Sequence, residues 1–307
     1  MDKKILITGS NGFLGRHLTP KLKDLGYDVY EVNSKDANLL DIDTLNRKFG
    51  DMEFDYIFHL AVKTAAGGYC QKHQGEQFLL NQIMNTNILS FWYTRENAKF
   101  ITFGSSCGYN DDVRKIEENY MVGVPETGYE VYGMIKRMLL VGLRALSAEY
   151  GMKYAYLIPS TMYGDNYDLH DKHFIFDLIR KICDAKYSGV EPVVLWGTGE
   201  QRRELIFVDD AVDIIIDSME KENDVINLST GNDYSIKDYA KTICDIVGYD
   251  FNKIEFDTTQ FVGAQSKRIE NTKNSGFLFT NINDGLSKTI NYYIKNKYGK
   301  KIFTDIS

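Results

Sequence analysis

The sequence predicts an α/β protein with a Rossmann-type, doubly wound parallel sheet and a smaller mixed α/β C-terminal lobe. Short apolar strands alternate with helical patterns through most of the first half, which is typical of a parallel sheet covered by helices on both faces. A glycine-rich turn joins the first strand to the first helix. The alternation loosens after Tyr163-Gly164-Asp165, so we expect the second lobe to begin there.

The predicted strands of the sheet are short apolar runs, and the helices between them show apolar residues at helical spacing. The strands are Lys4–Thr8, Asp28–Val32, Tyr56–Leu60, Phe100–Phe103 and Ala155–Ile158. The first helix is predicted to open at Asn11–Gly12. A longer helix is predicted from about Gly128 to Tyr150.

The later elements are predicted from the same patterns. The segment Lys172–Lys186 indicates a helix, and Leu205–Val208 and Val225–Leu228 indicate strands that return to the main sheet. The remainder is mostly helical, with predicted helices in Tyr234–Val247 and Asn281–Lys297 and one short strand near Lys253–Phe256. We therefore predict one domain over 1–165, to which 205–230 returns, and a second lobe formed by 166–204 and 231–307.

Composition restricts the class of protein. The chain has 307 residues, of which 43% are hydrophobic and 26% charged, as in an ordinary globular protein. The net charge of −7 argues against nucleic acid or an anionic membrane as the main partner. Four widely separated cysteines predict neither a disulfide framework nor a zinc site. Because the N-terminus enters a strand at once and no apolar run approaches about 20 residues, we expect a soluble cytoplasmic protein.

The turn after the first strand has the context of a dinucleotide-binding site. Gly9, Gly12 and Gly15 follow a strand and open a helix. Glycines allow a tight turn and a close approach of the backbone to a pyrophosphate, which the helix N-terminus favours electrostatically. The spacing, Gly-x-x-Gly-x-x-Gly, differs from the commoner Gly-x-Gly-x-x-Gly.

The end of the second strand bears on the choice between NAD and NADP. An NAD-preferring protein places a carboxylate there for the ribose 2′-hydroxyl. Here Ser34 and Lys35 follow the strand and would accommodate a 2′-phosphate, which favours NADP. For Asp41 two interpretations stay open: a contact to the adenine edge, or the N-cap of a helix.

A serine, a tyrosine and a lysine form the predicted catalytic group. Ser105 follows the strand Phe100–Phe103, and Tyr132 and Lys136 lie four residues apart on one helix face. A lysine ammonium beside a phenol is predicted to lower the phenol pKa from about 10 toward neutrality. The tyrosine could then pass a proton to a carbonyl oxygen as hydride reaches the carbon. Tyr293 and Lys297 have the same spacing but no preceding serine strand.

A second segment, residues 195–210, predicts a phosphate site. It contains a Gly-x-Gly turn, then Arg202 and Arg203, then a strand ending in Val-Asp-Asp. Forked guanidinium donors suit phosphate oxygens. With the N-terminal turn, this segment indicates one site for a cofactor and one for a nucleotide-linked substrate. The alternative is a surface loop with a solvated charge pair.

These motifs together resemble the extended short-chain dehydrogenases/reductases and, within that group, the GDP-L-fucose synthases. The similarity spans nearly the whole chain. The residues that carry it are Gly9, Gly12, Gly15, Asn87, Gly104-Ser105-Ser106-Cys107, Tyr132, Lys136, the run 159–164, His173 and the run 196–210. The resemblance implies that a GDP-4-keto-6-deoxy sugar is epimerised at C3 and C5 and then reduced at C4 by NADPH.

The resemblance also implies roles for individual residues. Ser105, Tyr132 and Lys136 would serve reduction, while Cys107 and His173 would exchange protons in epimerisation. Further predicted cofactor contacts are Asn11, Phe13, Leu14, Leu60, Ala61, Asn87, Pro159, Thr161 and His173. Predicted substrate contacts are Ser106, Lys181, Trp196, Arg202, Arg203, Lys267 and Arg268. No metal site is predicted, because His170 and His173 have no third ligand.

Several alternatives stay open. Cys107 could be a small buried residue, and His173 could be a helix cap. The family usually has asparagine where Thr161 stands and Pro-x-Asp-Asn where this chain has Asp165-Asn166-Tyr167-Asp168. The chain could therefore be a C4 reductase without epimerase activity that acts on another GDP-4-keto sugar, such as a heptose. An NAD-dependent C4 epimerase and a non-catalytic NADP-binding protein are further alternatives, and a dehydratase ranks low because Cys107-Gly108 follows the serines.

The long helix that carries Tyr132 presents more apolar surface than one sheet contact needs. In proteins of the resembled family this usually indicates a two-fold dimer through paired helices. The same resemblance leads us to expect a role in the synthesis of a capsule or lipopolysaccharide sugar.

Overall fold

The computed structural model describes residues 3–66, 68–260 and 264–299. The strands are β1 (Lys4–Thr8), β2 (Asp28–Val32), β3 (Tyr56–His59), β4 (Lys99–Phe103), β5 (Tyr154–Pro159), β6 (Thr161–Tyr163), β7 (Val193–Trp196), β8 (Arg202–Phe207), β9 (Asp224–Leu228), β10 (Asp233–Ser235), β11 (Ile254–Asp257) and β12 (Ser266–Lys267). The α-helices are α1 (Phe13–Asp24), α2 (Ile42–Phe49), α3 (Tyr69–Lys72), α4 (Gln74–Tyr93), α5 (Glu130–Tyr150), α6 (Phe174–Ser188), α7 (Val208–Asp217), α8 (Ile236–Val247) and α9 (Ile282–Tyr298).

The chain forms two compact units. The first comprises Met1–Pro159, Ala211–Leu228 and Glu270–Ser275, and the second comprises Ser160–Asp210, Ser229–Ile269 and Gly276–Ser307. The predicted division at residue 165 thus lies six residues after the observed one. The chain crosses between the units several times, so neither unit is a continuous segment.

The first unit is built on a six-stranded parallel sheet with the order β2-β1-β3-β4-β5-β9. The central strands are buried almost throughout, which is why they read as continuous apolar runs rather than as alternating patterns. The predicted Rossmann-type fold class is therefore confirmed, and each of the five predicted strands of the first half lies within two residues of an observed one.

The prediction that Leu205–Val208 returns to the main sheet is wrong. These residues lie mostly in β8, which pairs with β6, β10 and β12 in a separate sheet, and Val208 already begins α7. Only the second predicted strand, observed as β9, joins the main sheet. A fully buried strand has the same apolar sequence in either sheet, so its pattern cannot indicate which neighbours it pairs with.

The second unit combines the four-stranded sheet around β8, a parallel pair formed by β7 and β11, and the helices α6, α8 and α9. Sequence analysis missed β6, β7, β10 and β12, which are two to four residues long and too short to show a period. The predicted helix start at Tyr234 is also wrong. Ser235 and Asp238 form a reciprocal capping box, so α8 begins at Ile236.

Among the described residues, no helix is both long and apolar enough to cross a membrane.

Candidate active site

The glycine turn between β1 and α1 tolerates no side chain at two of its three glycines. Gly9 has a φ of +76°, and a Cβ there would lie 2.7 Å from the backbone nitrogen of Ala61. A Cβ on Gly15 would lie 2.4 Å from the carbonyl oxygen of Ser10. The sequence therefore contains glycine where the chain reverses against β3 and where α1 packs on the turn.

The N-terminus of α1 fits the pyrophosphate of a dinucleotide. Helix α1 begins with Phe13 and Leu14. Its N-cap residue, Gly12, makes no side-chain hydrogen bond to the first backbone N–H groups of the helix. Within the part of the chain that the structure describes, the buried hydroxyl of Ser10 also has no hydrogen-bond partner. Backbone N–H groups at a helix N-terminus favour a bound anion.

The residues after β2 are open to solvent. Ser34 and Lys35 are exposed, and the Lys35 backbone N–H donates to the Asn33 side chain at 2.9 Å. The side chain of Asp41 accepts a hydrogen bond from the Asp43 backbone N–H at 3.0 Å, which confirms the N-cap interpretation. An adenine contact by Asp41 stays a prediction.

The predicted catalytic group is assembled at the carboxyl end of β4. The Ser105 hydroxyl accepts a hydrogen bond from the backbone N–H of Cys107 at 3.2 Å and thereby caps a short 3-10 turn. From α5, the Lys136 ammonium donates to the carbonyl oxygen of Phe103 at 3.0 Å and lies 5.8 Å from the centroid of the Tyr132 ring. The structure thus brings Ser105, Tyr132 and Lys136 to one end of the sheet.

The predicted effect of Lys136 on Tyr132 is wrong. Burial raises the pKa of the Tyr132 phenol above its usual value of about 10, and the neighbouring Cys107 adds to this rise. Burial also lowers the pKa of Lys136 to about 8. Lys136 is not among the groups that shift this pKa, and desolvation of the phenolate dominates. Tyr132 is consequently protonated at neutral pH.

Cys107 lies half-buried in the 3-10 turn after Ser105. Its carbonyl oxygen accepts from the Glu126 backbone N–H at 3.1 Å. A Cβ on Gly133 would lie 2.6 Å from that same oxygen, so only glycine lets α5 pack this closely on the turn. Helix α5 therefore fixes the segment that carries Cys107, next to Tyr132. Ser106 occupies the same turn and is half-buried.

Sequence analysis missed a buried group of three polar side chains, Thr8, His59 and Asn85. The ring of His59, at the end of β3, lies with Nδ1 2.8 Å from the Thr8 hydroxyl and Nε2 3.1 Å from the Asn85 side chain. Burial lowers the pKa of His59 to about 4, so the ring is neutral. The sequence feature that could have indicated this group is a histidine at the end of an apolar strand. Asn87, by contrast, donates to the Leu39 carbonyl at 2.8 Å and ties α4 to the loop before α2.

In the second unit, His173 stands at the N-cap of α6, but its side chain makes no cap hydrogen bond. Its Nδ1 instead lies 2.6 Å from a carboxylate oxygen of Asp171, and half of the side chain is exposed. Asp171 was not predicted. A carboxylate bonded to Nδ1 fixes the ring orientation and leaves the other ring nitrogen, Nε2, for proton exchange.

The predicted phosphate-binding residues of the second unit differ in their surroundings. The Arg202 guanidinium pairs with Asp233 at 3.1 Å, and Lys181 pairs with Asp177 at 3.1 Å. Arg203 donates to the Ala264 carbonyl at 2.8 Å, and β12 places Lys267 opposite it. The remaining candidates are exposed: Arg268, and Trp196 at the end of β7 with 61% of its surface accessible.

A buried carboxylate that sequence analysis missed holds these segments together. Glu204, between Arg203 and Leu205, is 1% exposed. One of its oxygens accepts from the Ser229 hydroxyl at 2.6 Å and from the Gly231 N–H at 2.9 Å, and the other accepts from the Ile269 N–H at 3.0 Å. Glu204 thus fixes the backbone directly after Arg268.

Two further predicted cofactor contacts lie at strand ends. Pro159 ends β5 in the first unit, and Thr161 begins β6 in the second, half-buried and opposite Leu205. Leu60 and Ala61 directly follow β3, where the Leu60 N–H donates to the Thr8 carbonyl at 3.1 Å. Asn11 is exposed within the glycine turn. Contact of these residues with a cofactor stays a prediction.

Comparison with known proteins places this arrangement in a family. The sequence profile of the NAD dependent epimerase/dehydratase family matches residues 5–234. The chain belongs to this family. Its relatives include the GDP-L-colitose synthase of Yersinia pseudotuberculosis, which is 30% identical over 96% of this chain and 99% of the relative. The GDP-L-fucose synthase of Escherichia coli is 25% identical over 96% of this chain and 98% of the relative.

Solved structures agree with the sequence comparison. A GDP-L-fucose synthetase from Naegleria fowleri bound to NADP is 25% identical and has a TM-score of 0.86, with 96% of this chain and 93% of that chain covered. These similarities confirm the resemblance to GDP-L-fucose synthases that the motifs indicated.

Proposed function

We propose that this protein is an NADP-dependent sugar-nucleotide oxidoreductase that reduces the C4 keto group of a GDP-4-keto-6-deoxy sugar, after epimerisation at C3 and C5. The carrying observation is the placement of Tyr132 beside Lys136 at the carboxyl end of β4, which Ser105 follows. The relatives' names, GDP-L-colitose synthase and GDP-L-fucose synthase, support the substrate class.

The glycine turn holds the pyrophosphate of the cofactor, and Ser34 and Lys35 receive its 2′-phosphate. NADPH supplies the hydride for reduction when it is bound. The NADP-bound neighbour supports this choice of cofactor. The polar groups already present, the backbone N–H groups at the N-terminus of α1 and the Lys35 cation after β2, match the two phosphate positions.

Tyr132 completes the reduction. Because burial keeps the phenol protonated, it donates its proton to the C4 oxygen as that carbon becomes an alcohol. The Ser105 hydroxyl donates a hydrogen bond to the same oxygen and stabilises its developing negative charge. The Lys136 ammonium then stabilises the phenolate that remains on Tyr132.

Cys107 and His173 exchange protons with the sugar before reduction. C3 and C5 flank the ketone, so their protons are acidified, and Ser105 and Tyr132 stabilise the resulting enolate oxygen. Asp171 supports this role by orienting the His173 ring.

The GDP moiety binds the second unit. Arg203, Lys267 and Arg268 offer cationic donors on neighbouring strands, and the exposed Trp196 ring offers a face for the base. Arg202 and Lys181 are held by carboxylates, so they contribute only if the diphosphate replaces those partners.

The test is NADPH oxidation, followed at 340 nm, with GDP-4-keto-6-deoxymannose in D2O and NMR of the product. Oxidation with deuterium at C3 and C5 is the expected result. Oxidation without deuterium would contradict epimerisation and leave a C4 reductase. No oxidation with this sugar or with other GDP-4-keto sugars would overturn the proposal.

A C4 reductase without epimerase activity is the second candidate, and the substitutions near the expected sugar site favour it. Thr161 and the segment Asp165-Asn166-Tyr167-Asp168 depart from the pattern of the resembled family. A GDP-4-keto heptose reduced faster than the 6-deoxyhexose, with no deuterium incorporated, would support this candidate. An NAD-dependent C4 epimerase would instead interconvert C4 epimers with no net consumption of NADPH.

We also propose a two-fold dimer in the cytoplasm. Helices α4 and α5 lie side by side and expose apolar side chains, among them Leu79 at 60% and Val141 at 52%. This exposed apolar surface is more than one sheet contact explains. A monomeric mass by light scattering at micromolar concentration would contradict the dimer. A role in capsule or lipopolysaccharide synthesis is tested by the sugar composition of a strain that lacks the gene.

A further inference from the structure

A buried tyrosine bonds the backbone of Ser105 at the point where the chain leaves β4. Gly104 still donates its backbone N–H to the Leu157 carbonyl of β5 at 2.7 Å, in continuation of the parallel ladder. At the next residue, the Ser105 backbone N–H donates to the phenol oxygen of Tyr120 at 3.3 Å, and that oxygen also lies 3.3 Å from the Ser105 carbonyl oxygen. Tyr120 is fully buried. Its phenol thus takes the place of a neighbouring strand for the backbone of Ser105.

A second buried tyrosine lies between this phenol and helix α5. The Tyr156 hydroxyl, on β5, donates to the Lys136 carbonyl oxygen at 2.7 Å, and the Tyr156 oxygen lies 3.3 Å from the Tyr120 oxygen. Because a phenol has one proton, the single proton of Tyr120 has two acceptors, the Tyr156 oxygen and the Ser105 carbonyl oxygen. With either acceptor, the Tyr120 oxygen keeps a lone pair for the Ser105 N–H. The two phenols therefore connect the backbone of Ser105 with the turn of α5 that carries Lys136.

Two glycines beside Ser105 make room for these rings. A Cβ on Gly108 would lie 2.2 Å from the Tyr120 hydroxyl oxygen, and a Cβ on Gly104 would lie 2.7 Å from the Tyr156 ring. Such distances are too short for any side chain, so both phenols approach the turn only because glycine is present. The Tyr109 ring packs edge-on against Tyr120, with 5.0 Å between the ring centroids. This packing fixes the Tyr120 phenol against the turn that carries Ser105.

We propose that Tyr120 is a positioning residue for the reduction: its phenol holds the backbone of Ser105 so that the serine hydroxyl meets the C4 oxygen of the substrate. The inference rests on the function proposed above. The Ser105 hydroxyl oxygen accepts the Cys107 backbone N–H at 3.2 Å, so its single proton is available for the substrate oxygen. A donor whose backbone is held in place stabilises a developing negative charge without reorganising. Tyr120 thus acts through Ser105.

The test removes the Tyr120 hydroxyl in the presence and in the absence of the serine hydroxyl. Tyr120→Phe should lower kcat for NADPH oxidation about tenfold and leave KM for the sugar nucleotide unchanged, since the placement of the Ser105 donor is lost. In a Ser105→Ala background the same change should lower kcat by no more than about twofold, because no serine hydroxyl is left to position. Tyr109→Phe removes a buried hydroxyl of the same cluster, bonded to Asn227 at 2.8 Å. It is the matched control and should leave kcat unchanged.

A measurement without substrate separates this inference from the proposed function. With 15N-labelled serine, the Ser105 amide resonance is identified by its loss in Ser105→Ala. This amide should exchange slowly with D2O in the unmodified protein and faster in Tyr120→Phe, whether or not any sugar is turned over, and Tyr109→Phe should leave the exchange unchanged. Fast exchange in the unmodified protein, or no change in Tyr120→Phe, would overturn the hydrogen bond. An unchanged kcat in Tyr120→Phe, or equal losses with and without the Ser105 hydroxyl, would overturn the positioning role.

Discussion

The two units place their functional side chains in opposite environments. In the first, Lys136 is buried against a carbonyl oxygen, and burial shifts its pKa and that of Tyr132. In the second, Arg202 is paired with a carboxylate and Arg268 is exposed to solvent. Buried groups can tune a proton transfer because the local dielectric is low, whereas exposed cations contribute attraction that solvent screens. The comparison leads us to expect the chemistry of reduction in the first unit and most of the substrate affinity in the second.

The largest effect is expected from replacing Tyr132, which tests most directly whether the first unit carries out the reduction. Tyr132→Phe should lower kcat for NADPH oxidation by about a hundredfold or more, because the positioned proton donor is lost. Cofactor binding, measured by quenching of protein fluorescence, should change little. Tyr293→Phe, at the other Tyr-Lys pair of this spacing, is the control and should keep its turnover. Normal turnover in Tyr132→Phe would remove the tyrosine from the mechanism.

A smaller effect of a different kind is expected in the second unit. Arg203→Ala should raise KM for the GDP-sugar about tenfold, since charged hydrogen bonds to phosphate are lost, while kcat falls much less. Lys241→Ala removes an exposed cation on α8 of the same unit and should leave KM unchanged. A fall in kcat with KM unaltered would contradict the division of roles between the units.

The smallest expected effect is a pH dependence set by Lys136. Its pKa of about 8 means that the ammonium loses its charge as the pH rises through that value. NADPH oxidation should therefore decline above pH 8, and Lys136→Arg, which stays charged, should remove this decline at a lower overall rate. The contribution of Lys136 to the free energy of unfolding changes with pH in the opposite direction to the rate. Because the folded pKa lies below the usual 10.5, the unfolded chain binds more protons between these values, and this group's contribution to stability rises with pH there. A flat rate profile from pH 7 to 9.5 would contradict the assignment.

The local patterns predicted the first unit well. Glycines at positions 9, 12 and 15, the serine after β4 and the Tyr-Lys spacing on α5 each follow from steric or periodic demands that a short segment expresses by itself. The second unit was predicted less well. Its strands are two to six residues long, and β8 could not be assigned to a sheet from its own sequence.

Residues that act through distant partners escaped prediction. Glu204 is a single acidic residue directly after two arginines. Its buried carboxylate is bonded by Ser229, Gly231 and Ile269, which lie 25 to 65 positions away in the sequence. Asp171 gave no signal that it would orient His173. Thr64 meets Gln77 only because the loop after β3 returns to α4.

The sequence by itself determined the fold class, the glycine turn after β1 and the placement of Tyr132 and Lys136 on one helix face, because backbone sterics and helical spacing are properties of neighbouring residues. The tertiary structure decided the protonation of those two residues. The expected lowering of the Tyr132 pKa by Lys136 was reversed by burial, and the desolvation of a side chain depends on everything packed around it, which no local pattern records.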